Sequence, residues 1–317
     1  MEVIKIQKED KLLERIQESL EPEIYPEIQK KRPKILPKIV PSTNKKVNRD
    51  LVKKVGVINN SLISFDNIIL KKEPKLEKND LIVKHCKSDI YNIIIHMSDI
   101  HIEPNNRIEE YSYVLDDTVT KVAQFCKKYE KILIVITGDI LDKKETIKSQ
   151  GLMLCRKFFQ HLAQLGTVVI IAGNHDINEK NIQSYSEEIS IKNKNINISR
   201  CDDPLTVVSD NLPIFYLQFT GLYEFGDIIF CVSSLCDRKF IKYENIPNIR
   251  KDKKYVSLYH GIVSGAIDDN NNLIISSNLS SSRYKNLTDF KNFDAVLLGD
   301  IHRTQFLDDN RTIAYAG

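Results

Sequence analysis

Four of the seven histidines in this 317-residue chain stand next to acidic, amide or glycine residues directly after apolar runs. Asp99-Ile100-His101 follows NIIIHMS, and Gly138-Asp139 follows KILIVIT. Gly173-Asn174-His175-Asp176 follows TVVIIA, His260-Gly261 closes KYVSLYH, and Gly299-Asp300-Ile301-His302 follows FDAVLL. Imidazole nitrogen together with carboxylate and amide oxygen is a donor set for a borderline divalent cation. Each piece alone says little, since a lone Gly-Asp is usually a turn. The ordered set of five, each at the end of an apolar run, is the signal. His85, His96 and His161 fall outside it and receive no role.

Such residues must be held by elements that bring them together. The runs are read as buried strands, and the segments between the first three as helices. Leu115, Val119, Val122, Cys126 and Tyr129 recur at spacings of three and four within 111–129. Leu154, Phe158, Leu162 and Leu165 do the same within 145–165, with a stop at Gly166. The resulting β-α-β-α-β order predicts right-handed crossovers and a buried sheet. The second half reads as strands with few helices: IIFCVSSL, KYVSLYH, NLIISS, FDAVLLGD, TQFL and RTIAYAG. This pattern predicts an α/β fold built as a two-sheet sandwich flanked by helices. Strand ends along one sheet edge are where such folds gather functional groups.

Composition bounds the rest. A hydrophobic content of 42% supports a sizeable core, and the net charge of +3 does not select a partner. No apolar run is long enough to span a bilayer, and the N-terminus lacks a signal-peptide core. The six cysteines contain no CxxC pair and read as free thiols in a reducing compartment, cytoplasmic, nuclear or at a viral replication site. Composition shifts near residue 88. Residues 1–88 read as an N-terminal extension: a short helix within 1–20, a Pro-rich, flexible basic arm over 30–54, and a hairpin within 55–70. The arm is either a solvated linker or a contact for nucleic acid or a partner. Residues 89–317 read as the main domain.

The order of these motifs resembles the calcineurin-like metallophosphoesterases over about residues 91–317. The resemblance implies two divalent cations, with Mn²⁺ as the expected ion. Asp99, His101, Asp139 and His302 would hold one. Asp139, Asn174, His260 and Asp300 would hold the other, with Asp139 shared. A cation pair clamps a phosphate and lowers the pKa of a water to about 7. By the same resemblance His175 is not a ligand but stands beside the leaving oxygen as a proton or hydrogen-bond donor. Asp176 either orients that imidazole or caps a helix.

Within the superfamily, GDILDKK lacks the Arg-Gly of the protein Ser/Thr phosphatases. Asp142 stands where purple acid phosphatases carry an iron-binding tyrosine. SDIH, GDILD, GNHD, YHG and LGDIHRTQFL leading to IAYAG are similar to the SbcD-like double-strand-break repair nucleases, whose last motif is usually Gly-His-x-His. Asp300 replaces the first of those histidines, a variant that resembles viral and phage members. The resemblance implies DNA as substrate, an SbcC-like, SMC-type coiled-coil ATPase as partner, and admits a homodimer. It also implies a C-terminal cap and an ATPase-docking segment that are expected to be missing here. A phosphatase or cyclic-nucleotide phosphodiesterase on a small substrate is the alternative, and a non-catalytic DNA- or partner-binding member a second.

Overall fold

The computed structural model describes residues 76, 81–102, 107–142, 149–177, 203–275 and 283–317. The expected helix at 1–20, the basic arm at 30–54 and the hairpin at 55–70 lie outside these residues. The fold is a mixed α/β sandwich, as the sequence predicts. In chain order the first elements are β1 (Val83–Lys87), β2 (Ile93–Met97), α1 (Ile108–Cys126), β3 (Ile132–Thr137), α2 (Ser149–Leu165) and β4 (Thr167–Ile171). Then come α3 (Pro204–Ser209), β5 (Ile214–Tyr216), β6 (Gly221–Phe225), β7 (Ile228–Ser233) and β8 (Lys254–His260). β9 (Ile262–Val263), β10 (Tyr284–Lys285), β11 (Ala295–Gly299), β12 (Gln305–Phe306) and β13 (Ile313–Tyr315) complete the described elements.

Strands β2-β3-β4-β5 form a four-stranded, all-parallel sheet. A seven-stranded sheet has the order β1-β6-β7-β8-β11-β13-β12. The run ILIVIT of β3 is buried on both faces, as a central parallel strand requires. Ile132, Ile134 and Ile136 pack under the helices with Leu115, Val119, Cys155, Phe158 and Leu162. The alternate residues Leu133 and Val135 face the other sheet, meeting Phe230, Val232, Val256 and Leu258. Truncating one such side chain to alanine costs about 2–5 kcal/mol, so the sheets are held firmly against each other. A third cluster, including Leu81, Ile229, Tyr255, Tyr259, Phe290 and Tyr315, covers the outer face of the larger sheet.

The helices follow their apolar spacing. In α1 the buried residues are Leu115, Val119, Val122 and Ala123, and Glu109 and Glu110 in the first turn complement the helix dipole. In α2, Cys155, Phe158, Phe159 and Leu162 face inward. The short α3 starts from Asp203, whose carboxylate accepts the Thr206 N–H at 2.8 Å, with Pro204 in the first turn.

Two details differ from the sequence reading. The boundary set at residue 88 falls inside the fold, because β1 pairs in parallel with β6 (Val83 opposite Leu222, Lys84 opposite Tyr223) and Leu81 is core. β1 is an edge strand with solvated side chains, so it shows no apolar run. NLIISS is not a strand among the described residues, where only an isolated bridge joins Ile267 and Leu273. Cys86, Cys126, Cys155, Cys231 and Cys236 are free thiols. Among the described residues no helix is long and apolar enough to cross a membrane.

Candidate metal centre

The five sequence motifs meet where the C-terminal ends of β2, β3 and β4 face those of β8 and β11. Two backbone devices bring them close. The loop after β2 keeps pairing with the loop after β3: Asp99, His101 and Ile102 donate their N–H groups to the carbonyls of Gly138, Asp139 and Ile140 at 3.0, 2.9 and 2.9 Å. β8 and β11 run parallel in register, with His260 opposite Gly299, so Asp300 follows directly beside His260. Gly138 has φ +94°, and a Cβ there would stand 2.6 Å from His260 Nδ1. A Cβ on Gly173 would overlap Asp139 Oδ1. Only glycine leaves room for the imidazole and the carboxylate at those two turns.

Four of the seven candidate ligands are themselves strained. Asp99, His101, Asp139 and Asp300 have φ of 55°, 48°, 48° and 95°. Left-handed backbone is uncommon outside glycine, and its cost of roughly 1–3 kcal/mol is sustained at sites where geometry serves function.

The donor atoms converge in two halves. In the first, His101 Nε2 and His302 Nε2 face each other at 3.1 Å, His302 Nε2 lies 3.8 Å from Asp99 Oδ1, and His101 Nε2 lies 3.7 Å from Asp139 Oδ2. In the second, His260 Nε2 stands 3.1 Å from Asn174 Oδ1, 3.4 Å from Asp139 Oδ1 and 3.7 Å from Asp300 Oδ1. Asp139 thus offers one oxygen to each half. These separations suit donors arranged around a cation at bond lengths of about 2.0–2.2 Å. The groups Asp99, His101 and His302, then His101, Asp139 and His175, then Asp99, Asp139 and His260, are each close enough to hold one ion. Among the described residues Asp300 Oδ2 is buried with no hydrogen-bond partner, which a protein group rarely tolerates without a ligand. The residues present therefore fit a pair of divalent cations.

Without cations, His260 and Asp139 shift each other in opposite directions. Burial alone would raise Asp139, but the hydrogen bond and charge of His260, then the His175 backbone N–H, bring it down to about 2. Burial would lower His260, yet Asp139 above all, then Asp300 and Asp99, raise it to about 9. Burial lowers His101, with Asp139 only partly offsetting it. The Nδ1 of His260 lies 2.7 Å from the Thr137 carbonyl oxygen. That acceptor fixes the tautomer and leaves Nε2 for the cluster.

His175 stands at the rim of the first half, its ring edge-on to His101 with centroids 4.8 Å apart. Its backbone N–H donates to Asp139 Oδ1 at 2.8 Å, and its Nδ1 lies 2.6 Å from the Asp142 carbonyl oxygen. Asp176 does not orient this ring. Its buried carboxylate accepts the backbone N–H groups of Leu141, Gly173 and Ile140 at 2.8, 2.9 and 3.2 Å, clasping the loop after β4 to the loop after β3. Burial, then the charge of Asp139, raise Asp176 to about 7 against the pull of those three bonds. Backbone donors satisfy a buried carboxylate better than one imidazole edge, which explains the direction it takes.

Three residues at the site were given no role from the sequence. The Asp142 carboxylate lies 3.6 Å from His101 Nδ1, while its carbonyl holds His175. Asp269 places a carboxylate 3.6 Å from His302 Nδ1. Arg283 Nη1 donates to Asp300 Oδ1 at 2.9 Å and to Asn174 Oδ1. His96, left without a role, lies beneath the site with Nε2 2.9 Å from Thr137 Oγ1, and burial lowers it to about 4.

Residues 93–304 match the family model of the calcineurin-like phosphoesterases. Over 233 residues, 71% of this chain, the sequence is 34% identical to an uncharacterised protein of Acanthamoeba polyphaga mimivirus, and the match spans 16% of that protein. Over 182 residues it is 23% identical to Exonuclease subunit 1 of Enterobacteria phage T4, spanning 54% of each. The matched region is therefore a part of both relatives.

Proposed function

The chain belongs to the calcineurin-like phosphoesterase family, a family of phosphoester hydrolases that use divalent metal ions, and on that premise we propose that it is a manganese-dependent DNA nuclease subunit. The observation that carries the reading is the convergence of Asp99, His101, Asp139, Asn174, His260, Asp300 and His302 from five strand ends of two sheets. The similarity to a phage exonuclease subunit supports a nucleic acid as the substrate and a second subunit as partner. The motif resemblance to SbcD-like nucleases supports double-strand-break processing, with an SMC-type ATPase as that partner.

Asp99, His101, Asp139 and His302 would hold one cation and Asp139, Asn174, His260 and Asp300 the other. When bound, such ions supply positive charge to a phosphate and a water acidic enough to attack it near neutral pH. The protein's own groups do the remaining work. Thr137 fixes His260, the His175 N–H holds Asp139, and the Asp176 clasp keeps the loops after β3 and β4 together. The Asp142 carbonyl accepts a hydrogen bond from His175 Nδ1–H, so Nε2 is the nitrogen that would face the leaving oxygen. The basic stretch at 30–54 would add sequence-independent attraction for phosphates.

The test is cleavage of labelled linear DNA with and without Mn²⁺, beside bis-p-nitrophenyl phosphate, for the wild type and Asp139→Ala. Mn²⁺-dependent DNA cleavage lost in Asp139→Ala is expected. Turnover of the small diester with intact DNA would move the reading to a phosphodiesterase on small substrates. No turnover of either would leave a binding member of the family.

A further inference from the structure

We infer that Arg283 is a built-in counter-ion for the second cation position, occupying the oxygens of Asn174 and Asp300 when no cation is bound and competing with the cation for them. The inference rests on the assignment of Asp139, Asn174, His260 and Asp300 to that position.

The same oxygen atoms serve both partners. Asn174 Oδ1 and Asp300 Oδ1 stand 3.1 and 3.7 Å from His260 Nε2, and both accept from one nitrogen, Arg283 Nη1. The guanidinium is not a surface group that strays there by chance. Its backbone is fixed beside the end of β8, where the Arg283 carbonyl accepts the Ile262 N–H at 3.0 Å and the Tyr259 hydroxyl at 2.8 Å. Its side chain is 25% exposed and that of Asp300 12%, so the pair is only weakly screened by water.

Charge explains why an arginine is needed. An imidazole at position 300 would be neutral and need no cation. The carboxylate adds a negative charge to a cluster that already holds Asp99 and Asp139, and a buried carboxylate is costly unless paired. Arg283 supplies that pairing in the metal-free protein. A divalent cation arriving at the same oxygens meets a like charge within a few ångströms and must displace it or bind against its repulsion. The second position is therefore weakened by the guanidinium that its own oxygens hold.

The experiment is calorimetric titration with Mn²⁺ alone, joined to thermal unfolding in chelator, on wild type, Arg283→Met, Arg283→Lys and the double variant Arg283→Met/Asp300→Asn. Wild type is expected to show a tighter and a weaker event. In Arg283→Met the weaker event should tighten by about 10- to 100-fold, the range over which neighbours of a ligand shift metal affinity, with the tighter event unchanged. In chelator Arg283→Met should unfold at lower temperature than wild type, and Mn²⁺ should raise its midpoint by more. Arg283→Lys keeps the charge and should leave the weaker event within a few-fold of wild type. The double variant removes both charges and should regain metal-free stability over Arg283→Met. A weaker event that loosens, vanishes or stays the same in Arg283→Met would overturn competition. A wild type that binds no Mn²⁺ would overturn the site assignment itself.

Discussion

The Nδ1 of His260 lies 2.7 Å from the carbonyl oxygen of Thr137, joining the last residue of β8 in one sheet to the last residue of β3 in the other. One buried hydrogen bond thus closes the sandwich at its functional edge and aims Nε2 at Asp139, Asn174 and Asp300. In the metal-free protein His260 also carries the positive charge that Asp139 is paired with. Removing it strands a buried carboxylate and a carbonyl together. His260→Ala should destabilise the metal-free protein by about 3–5 kcal/mol, the cost of breaking a buried pair. Urea denaturation in chelator measures this. A loss below about 1 kcal/mol would show that the bond holds nothing.

His175 and Asp142 separate chemistry from metal holding. His175→Asn removes the ring while leaving its backbone N–H on Asp139, so Mn²⁺ titration should match wild type. The turnover rate should fall by roughly 10²–10⁴-fold, the range for a lost proton donor. Asp142→Ala keeps the carbonyl that holds His175 but removes the carboxylate beside His101 Nδ1. It should weaken the first cation by about 10- to 100-fold and restore near-normal turnover when Mn²⁺ saturates. Collapse of metal binding in His175→Asn would make His175 a ligand and reverse the assignment.

The Asp176 clasp has its own signature. Asp176→Asn keeps one accepting oxygen but turns an amide N–H₂ toward backbone donors. The variant should lose about 1–3 kcal/mol of stability from unsatisfied groups. Its His175 ring stays fixed by Asp142, so turnover per folded molecule should change little. A pH–rate profile beside a denaturation curve decides the matter: a displaced pH profile with unchanged stability would return Asp176 to the orienting role.

What could be read from the sequence, and what could not, follows from where each interaction is encoded. β3, β4, β8 and β11 were legible because strands buried on both faces are mostly apolar runs, and the candidate ligands because they stand at or directly after the ends of those runs. β1 was not, since an edge strand with solvated side chains has no such run. Neither α3 nor β6 was anticipated: α3 is too short to show a period, and GLYEF mixes small and polar residues. The orienting partner of His175 is a backbone carbonyl, which any residue at position 142 would provide. Arg283 stands in the polar stretch SSSRYKN, where nothing in residue type or spacing marks it. Its meaning comes only from the fold, which brings it against Asn174 and Asp300 across 109 and 17 positions of chain.

Away from the site, Glu224 ties β6 to the turn before β8. Its Oε1 lies 2.7 Å from Lys253 Nζ and 3.0 Å from Arg250 Nη2. The Lys253 hydrogen bond first, then that of Arg250, holds the carboxyl below the usual glutamate value of 4.5. A lowered folded-state pKa means that the unfolded chain takes up protons first as pH falls. The stabilisation is therefore complete above about pH 4.5 and is lost as pH falls through the depressed folded value. Because Arg250 is partly exposed, the net worth is modest, about 1 kcal/mol. Glu224→Gln should lower stability by that amount at neutral pH and by almost nothing once the wild-type carboxyl is protonated. Denaturant midpoints of the two proteins measured across the acid range should converge as pH falls. A gap that stays constant with pH would mean that packing, not charge, joins Glu224 to this turn.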